Sequence, residues 1–328
     1  MTQHLLTLHT RTPLHVGSGA SVEVVDQPIM RERITHFPII PGSALKGVLR
    51  DHARHTLKTS DAKRDDALIR LLFGEDQDPD EEKGIAAHAG CLQFMEAKLL
   101  AYPVRSLAGC FAWLTCPTAL QRFQRDTGKL VKRANPKDPN GKLEPIQITA
   151  LKPDEVMITT NSELKVTDQD FAVFEEYVLK LKLKEKTPDT QLADGVAGAL
   201  LPLCADSLWT DFLSKRLAIV HDDNFQHFVT TCTEVVTRIA INPQTRVVDG
   251  GKLFNQENVP CETLFYTVLT VLPEARKQKE KLPPGFTKPE DYLSKLLPDQ
   301  RPAILQFGGD ETTGHGFCAI RSERLNTL

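Results

Sequence analysis

Short strand-like runs alternate with helix-like runs along all 328 residues, and no proline-rich linker or internal repeat separates them. The first eleven residues alternate in a strand-like way, so we expect Leu6 and Leu8 to face a core. Thr7 and His9 would then face solvent. Strands and helices mixed in this way favour an α+β fold in one unit over two separate domains. We therefore predict a single domain, residues 1–328, that carries large insertions.

The predicted elements follow from hydrophobic periodicity and from turn residues. Helices are predicted at residues 44–58, 111–126, 168–184, 206–219 and 287–297, and strands at 91–101, 235–241, 263–272, 304–307 and 317–320. Residues 222–232 fit either a short helix or a loop. The three predicted insertions are an acidic irregular stretch at 61–90, a basic loop at 127–145, and a protruding loop or hairpin at 242–262.

Composition excludes several classes of protein. Hydrophobic residues make up 41% and charged residues 25%, as in folded globular proteins. The formal net charge of −3 excludes a globally basic nucleic-acid binder but allows a local basic surface. No apolar run approaches the roughly 20 residues of a membrane span, and no signal peptide is apparent, so we expect a cytoplasmic protein without a membrane partner. The seven cysteines form no Cys-x-x-Cys pair, so we expect reduced thiols rather than disulfides or a zinc site.

The segment Pro41–Ser43 has the pattern of a helix start. Ser43 is the predicted N-cap, and the helix that follows places Lys46 and Arg50 on one face. Free amides at a helix N-terminus, with cations nearby, suit a phosphate group. The alternative is an ordinary solvated helix face, since the spacing is not that of a P-loop.

Residues 308–316, GGDETTGHG, contain four glycines in nine positions. Glycine lets a backbone approach a ligand closely, and successive amides can form a nest that binds an anion. The alternative is a tight hairpin whose turns need unusual φ angles. The spacing favours neither interpretation over the other.

His15 and Asp26 lie on either side of a Gly-Ser-Gly turn. A carboxylate can hold a hard metal ion, and a histidine can move a proton near neutral pH. The alternative is that Asp26 is an ordinary turn residue before Gln-Pro.

The stretch from Asn242 to Phe254 combines basic and apolar side chains, among them Arg246, Lys252 and Phe254. If this stretch protrudes, an apolar side chain would be able to enter a base stack. The alternative is an ordinary exposed hairpin.

Four groups of motifs occur in one order over nearly the whole chain. They are TPLHVGSG with VVDQPIMRER and FPIIPGSALKGVLRDHA, then YPVRSLAGCFAWLTCPTALQRFQRD, then RIAINPQTRVVDGGKLFNQENVP, and finally GGDETTGHG. Together they resemble the RAMP superfamily, and more narrowly the family of the type III-B CRISPR effector's backbone subunit, the fourth Cmr subunit. The acidic 75–82 and basic 127–142 stretches match no motif of that family.

The resemblance implies a modified ferredoxin-like (RRM-type) α+β fold with a palm and a thumb-like β-hairpin at about 242–262. It implies copies that stack in a helical filament along a guide RNA (crRNA), together with other Cmr subunits including the large one. It also implies cleavage of complementary target RNA. That reaction would depend on a divalent ion, Mg²⁺ or Mn²⁺, bound together with an RNA phosphate.

The resemblance also assigns roles to individual residues. Asp26, at the family's aspartate position, is the implied catalytic residue and metal ligand. His15 would accept a proton or orient the phosphate. The implied RNA-binding residues are Arg31, Ser43, Lys46, Arg50, Arg246, Lys252, Phe254, Gly314, His315 and Gly316.

Three other functions stay open at this point. A non-catalytic scaffold would bind guide RNA and would be indifferent to loss of Asp26. A RAMP-type nuclease that processes guide RNA would work without a metal, and so would tolerate EDTA. A metabolic enzyme with a phosphate-binding glycine loop would bind a small molecule and no RNA.

Overall fold

The computed structural model describes residues 1–19, 25–75, 89–133, 143–182, 190–204, 207–241, 244–272, 288–298 and 302–325. The strands are β1 Thr2–Thr10, β2 Ile39–Ile40, β3 Leu92–Phe94, β4 Ala97–Arg105, β5 Phe111–Thr115, β6 Val131–Arg133, β7 Leu143–Pro145, β8 Glu155–Ile158, β9 Phe171–Phe174, β10 Tyr177–Leu181, β11 Leu217–Val220, β12 Glu234–Ile241, β13 Val248–Asn258, β14 Leu264–Val271, β15 Ala303–Gln306 and β16 Phe317–Leu325. The helices are α1 Gly42–Thr56, α2 Ala62–Phe73, α3 Pro117–Thr127, α4 Thr190–Leu200, α5 Ser207–Arg216, α6 Asp222–Thr231 and α7 Pro289–Leu296.

Most of the strands form one large mixed sheet. Its order is β15–β16–β1–β14–β4–β5–β11–β8–β10–β9, with β2 also paired to β4 and β3 to β14. β1 lies between β14 and β16 and is antiparallel to both. The pairs β5–β11 and β8–β10 are parallel. A mixed sheet with interspersed helices confirms the predicted α+β class.

Helices cover both faces of this sheet. Leu6 and Leu8 of β1 belong to the core that α1, α2, α6 and α7 cover, whereas Leu5 belongs to the core on the side of α4 and α5. The expectation that Thr7 and His9 face solvent was therefore wrong, since both are buried. Their polar groups are paired within the protein: Thr7 donates to the carbonyl of Leu203, and His9 Nε2 lies 2.7 Å from Glu262 Oε2.

The predicted acidic insertion at 61–90 begins with a regular helix. Asp61 caps α2 by accepting from the backbone N–H of Arg64 at 3.1 Å. Leu68, Leu72 and Phe73 are buried at helical spacing against α1 and the sheet. The acidic residues that suggested irregular chain lie mostly at 76–88, outside the described residues.

Two predicted helices contain strands instead. Within the predicted helix 168–184, Phe171–Phe174 and Tyr177–Leu181 form β9 and β10, which turn at Glu175 in a positive-φ conformation. The buried residues of these strands, Phe174 and Leu179 among them, follow a period of two. Residues 111–126 divide into β5 and α3, because Pro117 begins the helix after the Cys116 thiol has capped it.

The remaining insertions also differ from their predicted form. The ends of the basic loop at 127–145 pair as β6 and β7, and residues 134–142 lie outside the described residues. The predicted hairpin at 242–262 spans Glu234–Asn258 instead. β12 pairs with β13 in a separate two-stranded sheet, whereas β14 joins the main sheet. Within the described residues, no helix is both long and apolar enough to cross a membrane.

Candidate functional site

The segment that follows β1 pairs with the base of the hairpin formed by β12 and β13. Leu14 and Val259 exchange two backbone hydrogen bonds of 2.8 and 2.9 Å. Gln27 then donates to the carbonyl of Asn255 and accepts from the N–H of Glu257, both at 3.0 Å. The segment that carries His15 and Asp26 is thereby fixed along one edge of β13.

Asp26 is exposed at this edge. Its Oδ2 accepts the backbone N–H of Asn255 at 2.8 Å, which orients the carboxylate beside the hairpin. Asn255 precedes two buried residues, Gln256 and Glu257, that anchor β13 in the protein. The result is a solvent-facing carboxylate on a rigid backbone support.

His15 is buried beneath the same strand. Its Nδ1 lies 2.7 Å from the carbonyl oxygen of Glu257. Because a carbonyl only accepts, Nδ1 must carry the proton, and Nε2 of the neutral ring then holds the free lone pair. The carbonyl of His15 accepts the N–H of Gly309 at 2.9 Å, which ties the residue to the glycine loop.

Glu257 is a central residue of the site that the sequence did not reveal. It is 7% exposed, accepts the N–H of Ile29 at 3.0 Å, and forms an ion pair with Arg31. Arg31 also donates to the carbonyls of His36 and Val229, at 2.8 and 2.9 Å. The predicted RNA-binding residue Arg31 therefore has its guanidinium engaged inside the fold. Glu257 lies within the motif RIAINPQTRVVDGGKLFNQENVP, but nothing in that motif singles it out, because its contacts come from strand pairing with a distant segment.

The glycine loop meets the hairpin through four side chains, which we term the clasp: Arg238, Gln256, Asp310 and His315. Arg238 Nη2 lies 3.1 Å from Asp310 Oδ2 and 3.3 Å from His315 Nε2. Gln256 donates its side-chain amide to the same Asp310 oxygen. The clasp connects β12 and β13 to the loop before β16.

Of the two interpretations of the glycine loop, the contacts at residues 314–316 favour the tight turn over the anion nest. The N–H groups of Gly314, His315 and Gly316 already donate to the carbonyls of Glu311, Asp310 and Pro13, at 2.9, 3.2 and 2.8 Å. Gly316 has a φ of 78°, and a Cβ there would lie 2.0 Å from the Phe307 carbonyl oxygen. The glycines serve a tight turn, and contact of this loop with RNA would have to use other atoms.

The helix that carries the predicted phosphate contacts begins earlier than expected. Pro41 occupies the N-cap position and Ser43 is an exposed residue of the first turn, so the predicted Ser43 cap was wrong. A Cβ on Gly42 would lie 2.7 Å from the Phe94 carbonyl oxygen, so close packing on β3 sets where α1 starts.

Lys46 and Arg50 have different surroundings on this helix. Lys46 is half-buried, and burial together with the charge of Arg50 lowers the pKa of its ammonium group. Arg50 Nη2 donates to the carbonyls of Phe73 and Gly74, at 2.9 and 3.1 Å, where α2 ends. Arg50 therefore links α1 to α2. The described contacts of Lys46 assign it no such structural role.

The predicted wedge residues lie on the hairpin. Arg246 is exposed with a φ of 60° in the turn, and Phe254 is half-buried in register with Arg238. Lys252 lies in β13, and its side chain is outside the described residues. Exposed apolar side chains also occur along the hairpin, namely Val235, Val236, Ile239, Val247 and Leu253. The structure thus brings Asp26, His15, Arg31 and His315 to the hairpin base, while Ser43, Lys46 and Arg50 lie on α1.

The donor set available to a metal ion is small. Among the described residues, no group of three or more His, Cys, Asp or Glu side chains surrounds a common point. Mg²⁺ typically takes one or two protein carboxylates and completes its shell with phosphate oxygens and water. The single exposed carboxylate of Asp26 fits that kind of shared site and does not fit a site built by protein alone.

The sequence and fold match known proteins along nearly their whole length. The RAMP superfamily model matches residues 7–319. The CRISPR system Cmr endoribonuclease Cmr4 of Pyrococcus furiosus is 33% identical over 325 residues, covering 98% of this chain and 95% of that protein. The CRISPR system CMR subunit Cmr4 of Saccharolobus solfataricus is 26% identical over 325 residues, covering 94% and 93%.

Solved structures give the same result. The crystal structure of oligomeric Cmr4 from Pyrococcus furiosus has a TM-score of 0.68 at 27% identity, covering 100% of both chains. A chain of the type III-B Cmr-beta complex bound to cognate target RNA has a TM-score of 0.64 at 20% identity, covering 98% and 97%, and this likeness supports the fold alone. These matches confirm the predicted RAMP-type α+β fold. The chain belongs to the RAMP superfamily and, within it, to the Cmr4 family.

Proposed function

We propose that this chain is the backbone subunit of a type III-B CRISPR effector, which binds guide RNA and cleaves complementary target RNA. Membership of the Cmr4 family supports this function, since the Pyrococcus furiosus relative is named an endoribonuclease. Its structure is described as oligomeric, which supports assembly of several copies along one guide. The other Cmr subunits, including the large one, are the expected further partners.

The observation that carries the nuclease function is the exposed carboxylate of Asp26, fixed by the N–H of Asn255 at the base of a protruding hairpin. RNA supplies its own nucleophile, the 2′-hydroxyl, so a nuclease must mainly provide geometry and charge stabilisation. A target strand bent over the hairpin would present a phosphate at its base. There the rigid Asp26 carboxylate faces solvent, as such a role requires.

We assign the proton transfer to His15. Its Nδ1–H is committed to the Glu257 carbonyl, so Nε2 is the atom that would accept the proton of the 2′-hydroxyl. The 2′-oxygen then bonds to phosphorus and the bond from phosphorus to the 5′-oxygen breaks. The products are a 2′,3′-cyclic phosphate and a 5′-hydroxyl, whose proton comes from solvent.

We further propose that cleavage depends on a divalent ion, Mg²⁺ or Mn²⁺. Asp26 and a phosphate oxygen of the bound RNA would hold it, which fits the single-carboxylate donor set described above. When bound, the ion would stabilise charge that develops on the phosphate.

The other predicted RNA contacts belong to two surfaces. The hairpin would enter the guide–target duplex with Arg246, Lys252 and Phe254, and its exposed apolar side chains support insertion into a base stack. Lys46 of α1, with exposed Ser43 beside it, would contact guide phosphates, which position the RNA without reading its sequence.

The test uses the effector reconstituted with the native chain, guide RNA and labelled target RNA. Target binding and cleavage are measured with Mg²⁺ and with EDTA. We expect cleavage of the target in Mg²⁺ only, with binding in both. Target binding without cleavage would indicate a scaffold, and metal-independent cleavage of the guide precursor would indicate a processing nuclease. Either result would overturn the proposal.

A further inference from the structure

Gly17 and Gly309 lie beside the ring of His15, whereas Gly308 packs on its backbone carbonyl. A Cβ at Gly17 would lie 2.8 Å from Nε2, whereas a Cβ at Gly309 would lie 3.8 Å from Cδ2. His15 itself is 8% exposed, and within the described part of the chain Nε2 has no hydrogen-bond partner. His15 thus presents one acceptor, Nε2, beside the bare backbone of Gly17.

Conformation does not explain the glycine at position 17. Gly308 has a φ of 75°, where a side chain would be strained, but Gly17 is not among the residues with positive φ. A positive φ is therefore not the reason for glycine at position 17. A side chain at position 17 would instead lack space, because Nε2 of His15 lies beside the position that its Cβ would occupy.

The backbone at Gly17 is also unable to move away easily. Ser18 donates to the carbonyl of Pro28 at 3.0 Å, and Met30 donates to the carbonyl of Val16 at 2.7 Å. The ring of His15 is fixed by its bond to Glu257. A side chain at 17 would have to cover Nε2 or push the ring off that bond.

We propose that Gly17 determines access to the site: its lack of a side chain keeps His15 Nε2 open to a hydroxyl of the RNA strand that is cut. This inference rests on the proposed role of His15 as proton acceptor. The ligand is a hydrogen-bond donor, since Nε2 accepts when the ring proton is on Nδ1. Gly17 is a positioning residue, because it acts by leaving His15 uncovered.

The probe of access is diethylpyrocarbonate, which acylates reachable imidazole nitrogens, with modification of His15 followed by mass spectrometry on the full chain. The test variant is Gly17→Ala. The matched control is Gly309→Ala, which adds the same methyl group beside the same ring at ordinary contact distance. We expect Gly17→Ala to lower the rate of His15 modification about tenfold, with Gly309→Ala close to native. Equal rates in Gly17→Ala and native protein would overturn the proposal.

The functional arm uses the reconstituted effector. We expect Gly17→Ala to lose most target cleavage while target binding stays native, and Gly309→Ala to keep both. Native cleavage by His15→Ala would refute the role of His15 itself. Loss of cleavage in His15→Ala with native cleavage in Gly17→Ala would refute the access proposal alone. If Gly17→Ala does not fold, the native effector still decides: target RNA must protect His15 from modification, and absence of protection overturns the inference.

Discussion

Among single residues, Glu257 connects the most parts of the site. Its carboxylate joins the N–H of Ile29 and the guanidinium of Arg31, while its carbonyl holds the ring of His15. The N–H of Glu257 also pairs with Gln27, next to Asp26. One buried residue thus positions both proposed catalytic side chains, so its loss should affect folding as well as chemistry.

Glu257→Gln should destabilise the fold, because it leaves the partly buried guanidinium of Arg31 without its charge partner. Loss of one partner of a buried ion pair costs about 3–5 kcal/mol. The control is Asp154→Asn, which breaks an exposed pair with Lys180 and should cost about 1 kcal/mol or less. Denaturant unfolding measures both variants, and equal stabilities for the two would contradict the assigned role of Glu257.

Because of Asp126, part of the free energy of unfolding should depend on pH in the acid range. Burial alone would raise the pKa of Asp126, but hydrogen bonds from Lys98 and Arg125 outweigh burial and hold that pKa below its ordinary value. The contribution of Asp126 is therefore present above the ordinary aspartate pKa of about 4 and is lost as pH falls through the lower folded value.

Asp126→Asn should flatten the dependence of unfolding free energy on pH in the acid range, relative to native protein. The control is Asp170→Asn, whose exposed carboxylate pairs with Lys165 at 3.0 Å. Urea titrations from neutral pH to pH 3 supply the comparison. An acid limb as steep in Asp126→Asn as in native protein would contradict this assignment.

The sequence motifs singled out His15 and Asp26. The structure places both residues beside strand β13. The family resemblance assigned these two residues their roles, since spacing alone left Asp26 as an ordinary turn residue. The predicted Ser43 cap was wrong, and at Gly314–Gly316 the tight turn is favoured over the nest, because both depend on contacts that local patterns do not show. The helix start depends on contact with Phe94, and the amides are used by the distant Pro13 and by neighbours in the turn.

Among elements, the hairpin is positioned by its base and by the clasp. The pairing of β12 and β13 shifts register between Ile239 and Ile241, so a bulge separates the base from the tip. The clasp lies below that bulge, where Arg238 reaches Asp310. Its ion pair should therefore limit the motion of the hairpin against the glycine loop.

Asp310→Asn should weaken the clasp and raise amide exchange rates in β12 and β13 without unfolding the protein. Neighbouring groups of this kind couple by about 0.5–3 kcal/mol. The reciprocal double variant Arg238→Asp with Asp310→Arg should recover part of the protection. Hydrogen exchange read by mass spectrometry measures all three proteins. Unchanged exchange in Asp310→Asn would show that the clasp does not restrain the hairpin.

Substitutions of the two basic residues of α1, Lys46 and Arg50, should affect different properties. The first should change RNA binding and the second should change stability. Lys46→Ala is expected to weaken guide binding and to reduce the slope of log affinity against log salt by roughly 0.7 for one lost phosphate contact. Arg50→Ala removes donors from the end of α2 and should cost about 1–3 kcal/mol of stability. Salt titrations and thermal unfolding of both variants decide the assignment. An unchanged salt slope in Lys46→Ala would remove that residue from the interface.

The boundaries of some helices and strands could be predicted from sequence patterns alone. β1, α1, α7 and β14 were predicted within a few residues, although β14 is buried along its whole length and not at alternate positions. Residues 168–184 were predicted as helix although Phe174 and Leu179 follow a strand period. The short turn at Glu175 interrupts that pattern, and the partner β8 is distant in sequence.

Across the whole molecule, both faces of one large sheet are covered, and the hairpin projects as a separate two-stranded sheet. The α+β class could be predicted from the mixture of strand-like and helix-like runs alone. The order of strands did not follow from sequence, because β1 pairs with β14 and β16 at the far end of the chain. The same long-range pairing assembles the site, since Leu14 and Gln27 meet residues 255–259 only in the folded molecule.

The central claim is that the carboxylate of Asp26 is required to cleave target RNA. The most direct measurement is the single-turnover rate of target cleavage in Mg²⁺, by the reconstituted effector carrying native chain, Asp26→Asn or the exposed control Asp170→Asn. We expect Asp26→Asn to lower the rate by about 100-fold or more with target affinity unchanged, while Asp170→Asn cleaves at the native rate. Cleavage by Asp26→Asn at the native rate would show that its carboxylate is not required.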